Sequence, residues 1–395
     1  MEPLALYIHV PFCQHKCIYC DFYSTTRTGL LPRFITALQQ EIAHYQHHPV
    51  FAQRTLSSIY WGGGTPSLIP PAQLDLLLKH ICSAWPVQID AEITLEANPG
   101  ALDTSHLPEY RRAGINRLSL GIQSFLDHEL ALLTRIHSAS EAAAAVGAAR
   151  TAGFINLGID LIFGLPGQSP KDYEFSLRQA LASKPTHLSL YGLTIEAGTP
   201  LYDAVQQGCL RPCTEEVERE MFLLGKALAE EAGYQHYEIS NYALPGHETR
   251  HNQHYWTGSD YLGLGPSAHS FAGGERWWNL RNLDGYLAAW EKKQTAVAGR
   301  ERLGLAERKI EAVMLGLRRN EGIDLAGWRE EFGGSFLELC ARAIQKLGGL
   351  AEETSPFQRA SGEQLLTLKS GHLALTQAGV LLYDLVCREL CAVVN

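Results

Sequence analysis

A chain of 395 residues is longer than one hydrophobic core usually supports, since single cores stop growing at roughly 250–300 residues; one large and one small domain are expected. Hydrophobic residues make up 46% and charged ones 19%, and the formal net charge is −9, a balance that excludes a general nucleic-acid binder, which needs a basic face to neutralise phosphates. No apolar run reaches about 18 residues, and the start, MEPLALYIHVPFC, has no basic stretch ahead of a long apolar one, so neither a membrane span nor a signal peptide is expected.

Along residues 1–233, strand and helix patterns alternate. LALYIHV (4–10) reads as a strand and LPRFITALQQEIAHY (31–45) has a helical period. SSIYWGGG (57–64) is a strand running into glycines, PAQLDLLLKHICSAW (71–85) a helix, and EITLEANP (92–99) a strand followed by a helix near 103–113. RLSLGIQS (117–124) is a strand, and SASEAAAAVGAARTAG (138–153) a helix opened by a capping box from Ser138 to Glu141. INLGIDLIFGLPG (155–167) is a strand ended by Gly and Pro; SPKDYEFSLRQALASK (169–184) is a helix with Ser169 as N-cap and Pro170 in its first turn. HLSLYGLTI (187–195) is a strand and EEVEREMFLLGKALAEEAG (215–233) a helix.

Six strands, each followed by a helix or loop, imply parallel pairing with helix-covered faces. Several end in polar or glycine clusters: Gly62 to Thr65, Glu96, Gln123, Asp160. Functional groups at the C-terminal ends of many successive strands suit a barrel mouth, whereas a Rossmann sheet gathers its ligand at one switch point. The expected core is therefore α/β, a partial (β/α)6 TIM-like barrel. Residues 234–300, rich in Tyr, His, Trp and Gly, read as an α/β extension packed beside it. Residues 301–395 are mostly helical, with a short hairpin leading into a final helix in LLTLKSGHLALTQAGVLLYDLVCREL, so a small winged-helix-like domain is expected there. The acidic total charge and the sparse basic residues of the last helix argue against a DNA role.

Nine cysteines without a secretion signal suit a reducing cytoplasm, with thiols free or on metal. Cys82, Cys340, Cys387 and Cys391 lie in helix-like apolar segments and read as buried or semi-buried free thiols. YIHVPFCQHKCIYCDF (7–22) is different: Cys13, Cys17 and Cys20 follow C-x3-C-x2-C in one loop after the first strand. Zinc usually closes four ligands in two separated pairs; a Cys3His site using His9 or His15 stays open as an alternative, as do three free thiols. Four-iron clusters usually take four cysteines, so a triad leaves one iron able to bind a ligand directly.

With an aromatic residue, Tyr19, before the third cysteine, this motif resembles the signature of radical S-adenosylmethionine proteins, and YIHVPFC narrows the likeness to the oxygen-independent coproporphyrinogen III oxidase family. WGGGTPS, LEANPG, RLSLGIQSF, RIHSA, DLIFGLPGQ and EAGTPLY resemble that family's blocks through essentially the whole chain. Three details point to its haem-chaperone branch. Phe22 stands where the oxidases carry a further cysteine, the oxidases' N-terminal arm is missing ahead of Tyr7, and HNQHYW (251–256) is similar to the chaperones' HNxxYW motif.

The resemblance implies a [4Fe–4S] cluster on Cys13, Cys17 and Cys20. It implies S-adenosylmethionine contacts at Tyr7, Tyr19, Gly63, Gly64, Thr65, Glu96, Gln123, Arg135 and Asp160. Taken alone, the glycines read as a turn and each polar residue as structural. Haem would be cargo, bound by His251, His254 or His269 and handed to acceptor haem proteins, respiratory membrane-associated ones among them. Taken alone, these are polar loop histidines. Cys209 and Cys213 (CLRPC) have Pro-Cys order rather than the Cys-Pro of haem-regulatory motifs and read as free thiols. The rival expectations are a radical enzyme of porphyrin metabolism that decarboxylates coproporphyrinogen oxidatively, and a scaffold whose metal only holds the fold.

Overall fold

The computed structural model describes residues 3–100, 104–351 and 364–395. The chain divides into two compact units, one of Met1–Gln235, Tyr242–His251 and Asp260–Glu301, the other of His236–Asn241, Asn252–Ser259 and Arg302–Asn395.

In the first unit six strands, β1 (Leu4–Val10), β2 (Leu56–Gly63), β3 (Val87–Ala97), β4 (Arg117–Gln123), β5 (Asn156–Phe163) and β6 (His187–Gly192), pair in parallel in their sequence order. Every crossover therefore steps the same way, which curls the sheet toward a barrel instead of reversing it at a switch point. The barrel is partial: the other edge of β1 takes Tyr261–Leu264 in parallel rather than β6. Beyond that strand lie antiparallel His269–Ala272 and Glu275–Asn279, then Val297–Arg302, so part of the extension continues the core sheet.

The crossover helices are α1 (Leu31–Gln46), α2 (Pro71–Ala84), α3 (Leu107–Ala113), α4 (Asp127–Leu132), α5 (Ala139–Thr151), α6 (Pro170–Ala182), α7 (Pro200–Gln206) and α8 (Glu215–Glu231). Ser138 and Glu141 form the expected capping box, and Ser169 and Asp172 form another. The helix expected near 103–113 begins at Leu107 after a 3-10 turn over Thr104–His106; residue 103 lies outside the described residues. Two short helices, α4 and α7, were not expected, because DHELAL and PLYDAVQ are too short to display a period.

Strand alternation decides what this barrel can do. Leu6, Ile8, Trp61, Leu95, Leu120 and Ile159 are fully buried and pack in one core with Phe34, Leu38, Leu77, Tyr110 and Leu177 of the helices. The intervening residues are polar or glycine: Tyr7 and His9 on β1, Ser58 and Tyr60 on β2, Glu92 and Glu96 on β3, Arg117 and Ser119 on β4, Asp160 on β5, His187 and Ser189 on β6. Cross-strand contacts such as Tyr60 to Glu96 and Ser119 to Asp160 place these inside the curl. Barrels of this kind usually fill that space with branched apolar side chains. Here the apolar layer under the helices supplies the burial, and the interior is left to polar groups.

The second unit has a four-stranded sheet in the order Ile323–Asp324, His372–Leu375, Leu366–Lys369, Leu350–Ala351. The hairpin expected near the C-terminus turns through Ser370 and Gly371, both with positive φ (49° and 83°), as a two-residue primed turn requires. Val313, Leu317, Trp328, Phe336, Leu373 and Leu390 join its helices and sheet in a core of their own. Cys340 and Cys387 are buried and Cys391 half-buried there. Cys82 departs from expectation: it is exposed, at the edge of the face of α2 that buries Leu74, Leu77, Leu78 and Ile81. Among the described residues, no helix is long and apolar enough to cross a membrane.

Candidate functional site

The cysteine loop leaves the C-terminal end of β1 and is strapped down on both sides. Phe12 is fully buried, edge-on to Phe34 at 5.5 Å, and anchors the start. Cys13 N–H donates to Thr25 O (3.0 Å) and Cys20 N–H to Cys17 O (3.2 Å). The glycine turn after β2 docks against this loop: Gly64 N–H donates to Val10 O (2.8 Å), Thr65 N–H to Phe12 O (2.7 Å), and Thr65 Oγ1 lies 3.6 Å from Cys13 Sγ. A Cβ on Gly64 would stand 2.6 Å from Phe12 O, so glycine is required for this approach. On the far side, Ile18 N–H donates to Thr134 Oγ1 (3.2 Å); Thr134 has φ of 54°, a strained backbone position beside Arg135.

Arg135 places Nη1 3.7 Å from Cys17 Sγ and 3.5 Å from Tyr19 Oη. Its Nε is buried and meets no acceptor among the described residues. Burial pushes the Cys13 and Cys20 thiols up, and the neighbouring cysteines add to the rise. A cation joining the loop would favour the charged forms of these two thiols, which is the condition a soft metal or an iron–sulfur cluster supplies. His9 is not free to complete a zinc site: Nδ1 lies 3.1 Å from Tyr7 Oη and Nε2 2.9 Å from Tyr23 O, and burial brings its pKa down to about 4. His15 is exposed. The donor set, the close glycine turn and the orphaned guanidinium nitrogen fit a cluster with an anionic ligand beside it.

Below the loop, the strand ends bring the other expected residues together. Glu96 accepts from Tyr60 Oη (2.7 Å) and from Gly63 N–H (3.2 Å), and burial pushes its carboxyl up to about 7. Asp160 accepts from Ser119 Oγ (3.2 Å) and is also bonded by Ser189; burial raises its pKa, while those bonds and the Arg117 guanidinium draw it back. Register neighbours set this layer: Glu96 pairs with Ser119, and Asp160 with Ser189. Gln123 closes β4 at a register shift with φ of 72°, a left-handed position that costs energy outside glycine. Tyr7 stacks on Tyr60 with ring centres 6.2 Å apart, and burial raises the phenols of Tyr7 and Tyr19, keeping both neutral. The arrangement offers two carboxyls for ammonium or hydroxyl groups, a guanidinium for a carboxylate and aromatic faces for a flat ring.

Deeper still lies a layer that sequence reasoning missed. Arg117 Nη1 donates to Thr249 Oγ1 (2.7 Å), which is also 3.2 Å from His187 Nε2. Glu92 accepts the N–H groups of Arg250 (3.2 Å) and His251 (3.3 Å), opening a helix, α9 (Arg250–Trp256), where the residues taken alone read as a loop. The signal was present as polar residues at every second strand position, but only the topology tells which face points inward.

The three histidines read as haem ligands are not brought together. His251 is 1% exposed, with Nδ1 2.9 Å from Ser58 Oγ and its ring stacked on Tyr60 at 4.9 Å. His254 is half-buried and belongs to the second unit, where Arg318 covers Trp256 at 4.4 Å. His269, in the first unit, is exposed and stacked on Trp278 at 5.9 Å. Cys209 is exposed and Cys213 half-buried, both free.

Residues 7–180 match the radical SAM superfamily and residues 305–382 the HemN C-terminal domain. The heme chaperone HemW of Synechocystis is 39% identical over 82% of this chain and 80% of its own length, and that of Mycobacterium tuberculosis H37Rv is 36% identical over 98% and 95%. This chain belongs to the HemW family. The family's fold kinship is wider: the structure of coproporphyrinogen III oxidase (HemN) from Escherichia coli, a radical SAM enzyme, matches with a TM-score of 0.81 at 26% identity, covering 100% of this chain and 90% of that one. In this HemW-family chain Phe22, two residues past the triad, is 70% exposed.

Proposed function

We propose that this chain takes up haem and passes it to acceptor haem proteins, with a [4Fe–4S] cluster on Cys13, Cys17 and Cys20 and S-adenosylmethionine beside it. The carrying observation is the three-thiol loop with the Arg135 guanidinium at 3.7 Å from Cys17 Sγ, in a chain with Phe22 in place of a further cysteine. When bound, the cluster supplies an iron with an open position for the amino and carboxylate groups of S-adenosylmethionine.

The chain's own residues orient that ligand. Arg135 holds its carboxylate, Glu96 accepts from its amino N–H groups and Asp160 holds its ribose hydroxyls. Gly63, Gly64 and Thr65 let the methionyl end approach the backbone, while Gln123, Tyr7 and Tyr19 wall the pocket, with Tyr19 facing the adenine. Haem uptake is assigned first to His269, whose exposed imidazole sits beside an indole face, with His254 as second candidate. A transfer protein needs different affinities in loaded and released states, and ligand at the cluster is the natural bias between them. The proposed place of action is the cytoplasm, with acceptors that include membrane-associated respiratory proteins.

One experiment tests this reading. Anaerobically reconstituted protein is assayed in the same sample for haem binding and for coproporphyrinogen turnover. Haem binding without turnover is expected; multiple-turnover formation of protoporphyrinogen restores the oxidase reading.

A further inference from the structure

We infer that His251, the first residue of HNQHYW, is a positioning residue of the S-adenosylmethionine site, acting through Tyr60 on Glu96. The inference rests on the proposed identity of that site.

The geometry forms one connected chain. Ser58 and Glu92 are register partners on β2 and β3, and both reach the start of α9. Glu92 takes the N–H groups of Arg250 and His251, and Ser58 Oγ lies 2.9 Å from His251 Nδ1. The imidazole is thereby fixed at the floor of the barrel interior. Its ring stacks on Tyr60 at 4.9 Å with 24° between planes, and lies 6.2 Å from the ring of Tyr7. Tyr60 Oη, held from below, donates to Glu96 Oε1 at 2.7 Å, while Glu96 Oε2 takes the N–H of Gly63 at 3.2 Å.

Each link is short and enclosed, so few other arrangements are open to Glu96. A buried carboxyl with two fixed donors presents a defined direction to a ligand. Removing the ring beneath Tyr60 leaves a gap into which the phenol can settle, and Glu96 loses its alignment. An imidazole 1% exposed, with Nδ1 beside Ser58 and its face against Tyr60, does not offer an open side to a porphyrin. The histidine of this motif thus serves the cofactor pocket from beneath.

The test compares His251→Ala, Tyr60→Phe and the double variant in anaerobically reconstituted full-length protein. Cluster content is read from iron, sulfide and absorbance, S-adenosylmethionine affinity from equilibrium dialysis and the EPR change of the reduced cluster, and haem binding from the Soret band. His251→Ala should keep the cluster and the Soret band and weaken S-adenosylmethionine about tenfold or more, as for loss of a hydrogen bond to a charged group. Because Tyr60→Phe already removes the donor to Glu96, the double variant should bind about as weakly as the weaker single one. Multiplying losses, unchanged affinity, or a lost Soret band with S-adenosylmethionine retained each overturn the inference. If His251→Ala does not fold, Ser58→Ala, which frees the ring to turn, replaces it under the same criteria. Wild-type protein that assembles the cluster but binds no S-adenosylmethionine sinks the site's identity instead.

Discussion

Tyr60 Oη and Glu96 Oε1 lie 2.7 Å apart inside the barrel, and the phenol is the donor. That bond favours the ionised carboxylate, while burial, the larger effect, favours the neutral acid and pushes Glu96 up to about 7. The ionised carboxylate accepts from the ligand's amino N–H groups better than the neutral acid does, so S-adenosylmethionine should bind more tightly as pH rises through about 7 and level off above. Tyr60→Phe removes the bond that lowers the pKa, so the midpoint should move upward. The ligand's own amino group titrates nearby, which makes the difference between wild type and variant the decisive quantity. Coincident midpoints in dialysis from pH 5.5 to 9 would remove Glu96 from the amino-group contact.

The thiol loop gives a metal prediction. Reconstituted protein should carry about four irons and four sulfides on three thiolates. Cys17→Ser should abolish the cluster absorbance, because Cys17 is the buried member, beside Arg135. Arg135→Ala should retain most of the iron but weaken the EPR response to S-adenosylmethionine. Zinc without acid-labile sulfide would defeat the cluster reading.

A second buried carboxyl has no place in the proposed site. Glu41 of α1 accepts from Gly265 N–H (2.8 Å), Tyr286 Oη (2.7 Å) and Asn279 Nδ2 (2.6 Å), and burial pushes it up to about 7. Glu41→Leu leaves Gly265 N–H and Tyr286 Oη without this acceptor and Asn279 Nδ2 with only its bond to Gly265 O, and should cost about 3 kcal/mol or more in urea unfolding of the first unit. Its pKa is raised, so its contribution is full below the ordinary carboxylate value, falls as pH climbs toward about 7 and is constant above. Glu41→Gln should flatten that part of the pH dependence; an unaltered slope would show that the group does not titrate there.

Haem binding separates the three histidines. His269→Ala and Trp278→Ala should shift the Soret band or reduce haem affinity several-fold, with residual binding from the porphyrin's apolar contacts. His251→Ala should not. A Soret change confined to His254→Ala would move the haem site to the second unit.

The six strands and the long crossover helices were legible because each repeats its period often enough to be read. Leu74, Leu77, Leu78 and Ile81 mark one face of α2; Cys82, four residues past Leu78, continues that pattern at the edge of the face, so its exposure was not legible from the period. α9 was hidden for a different reason: its first amides are satisfied by Glu92, 158 residues away, so no local residue announces the helix. The triad was readable from its spacing, and Glu96, Gln123 and Asp160 from their places in strand patterns, Asp160 lying within β5 rather than at its end; their proposed roles come from the family resemblance. Arg117, His187 and Thr249 were not, since each is an ordinary polar residue until the curl of the sheet brings the three together.

Because the shell between strands and helices carries the burial and the interior carries the polar groups, the residues that hold this barrel together are largely not the ones that would use it. Inward positions such as Ser119, Asp160 or Ser189 can then be exchanged with little loss of the apolar packing that sustains the fold. A lineage built on this plan can reassign its interior from one task to another while its exterior goes on being inherited. The same separation makes randomised interiors a practical starting point for giving the scaffold new ligands.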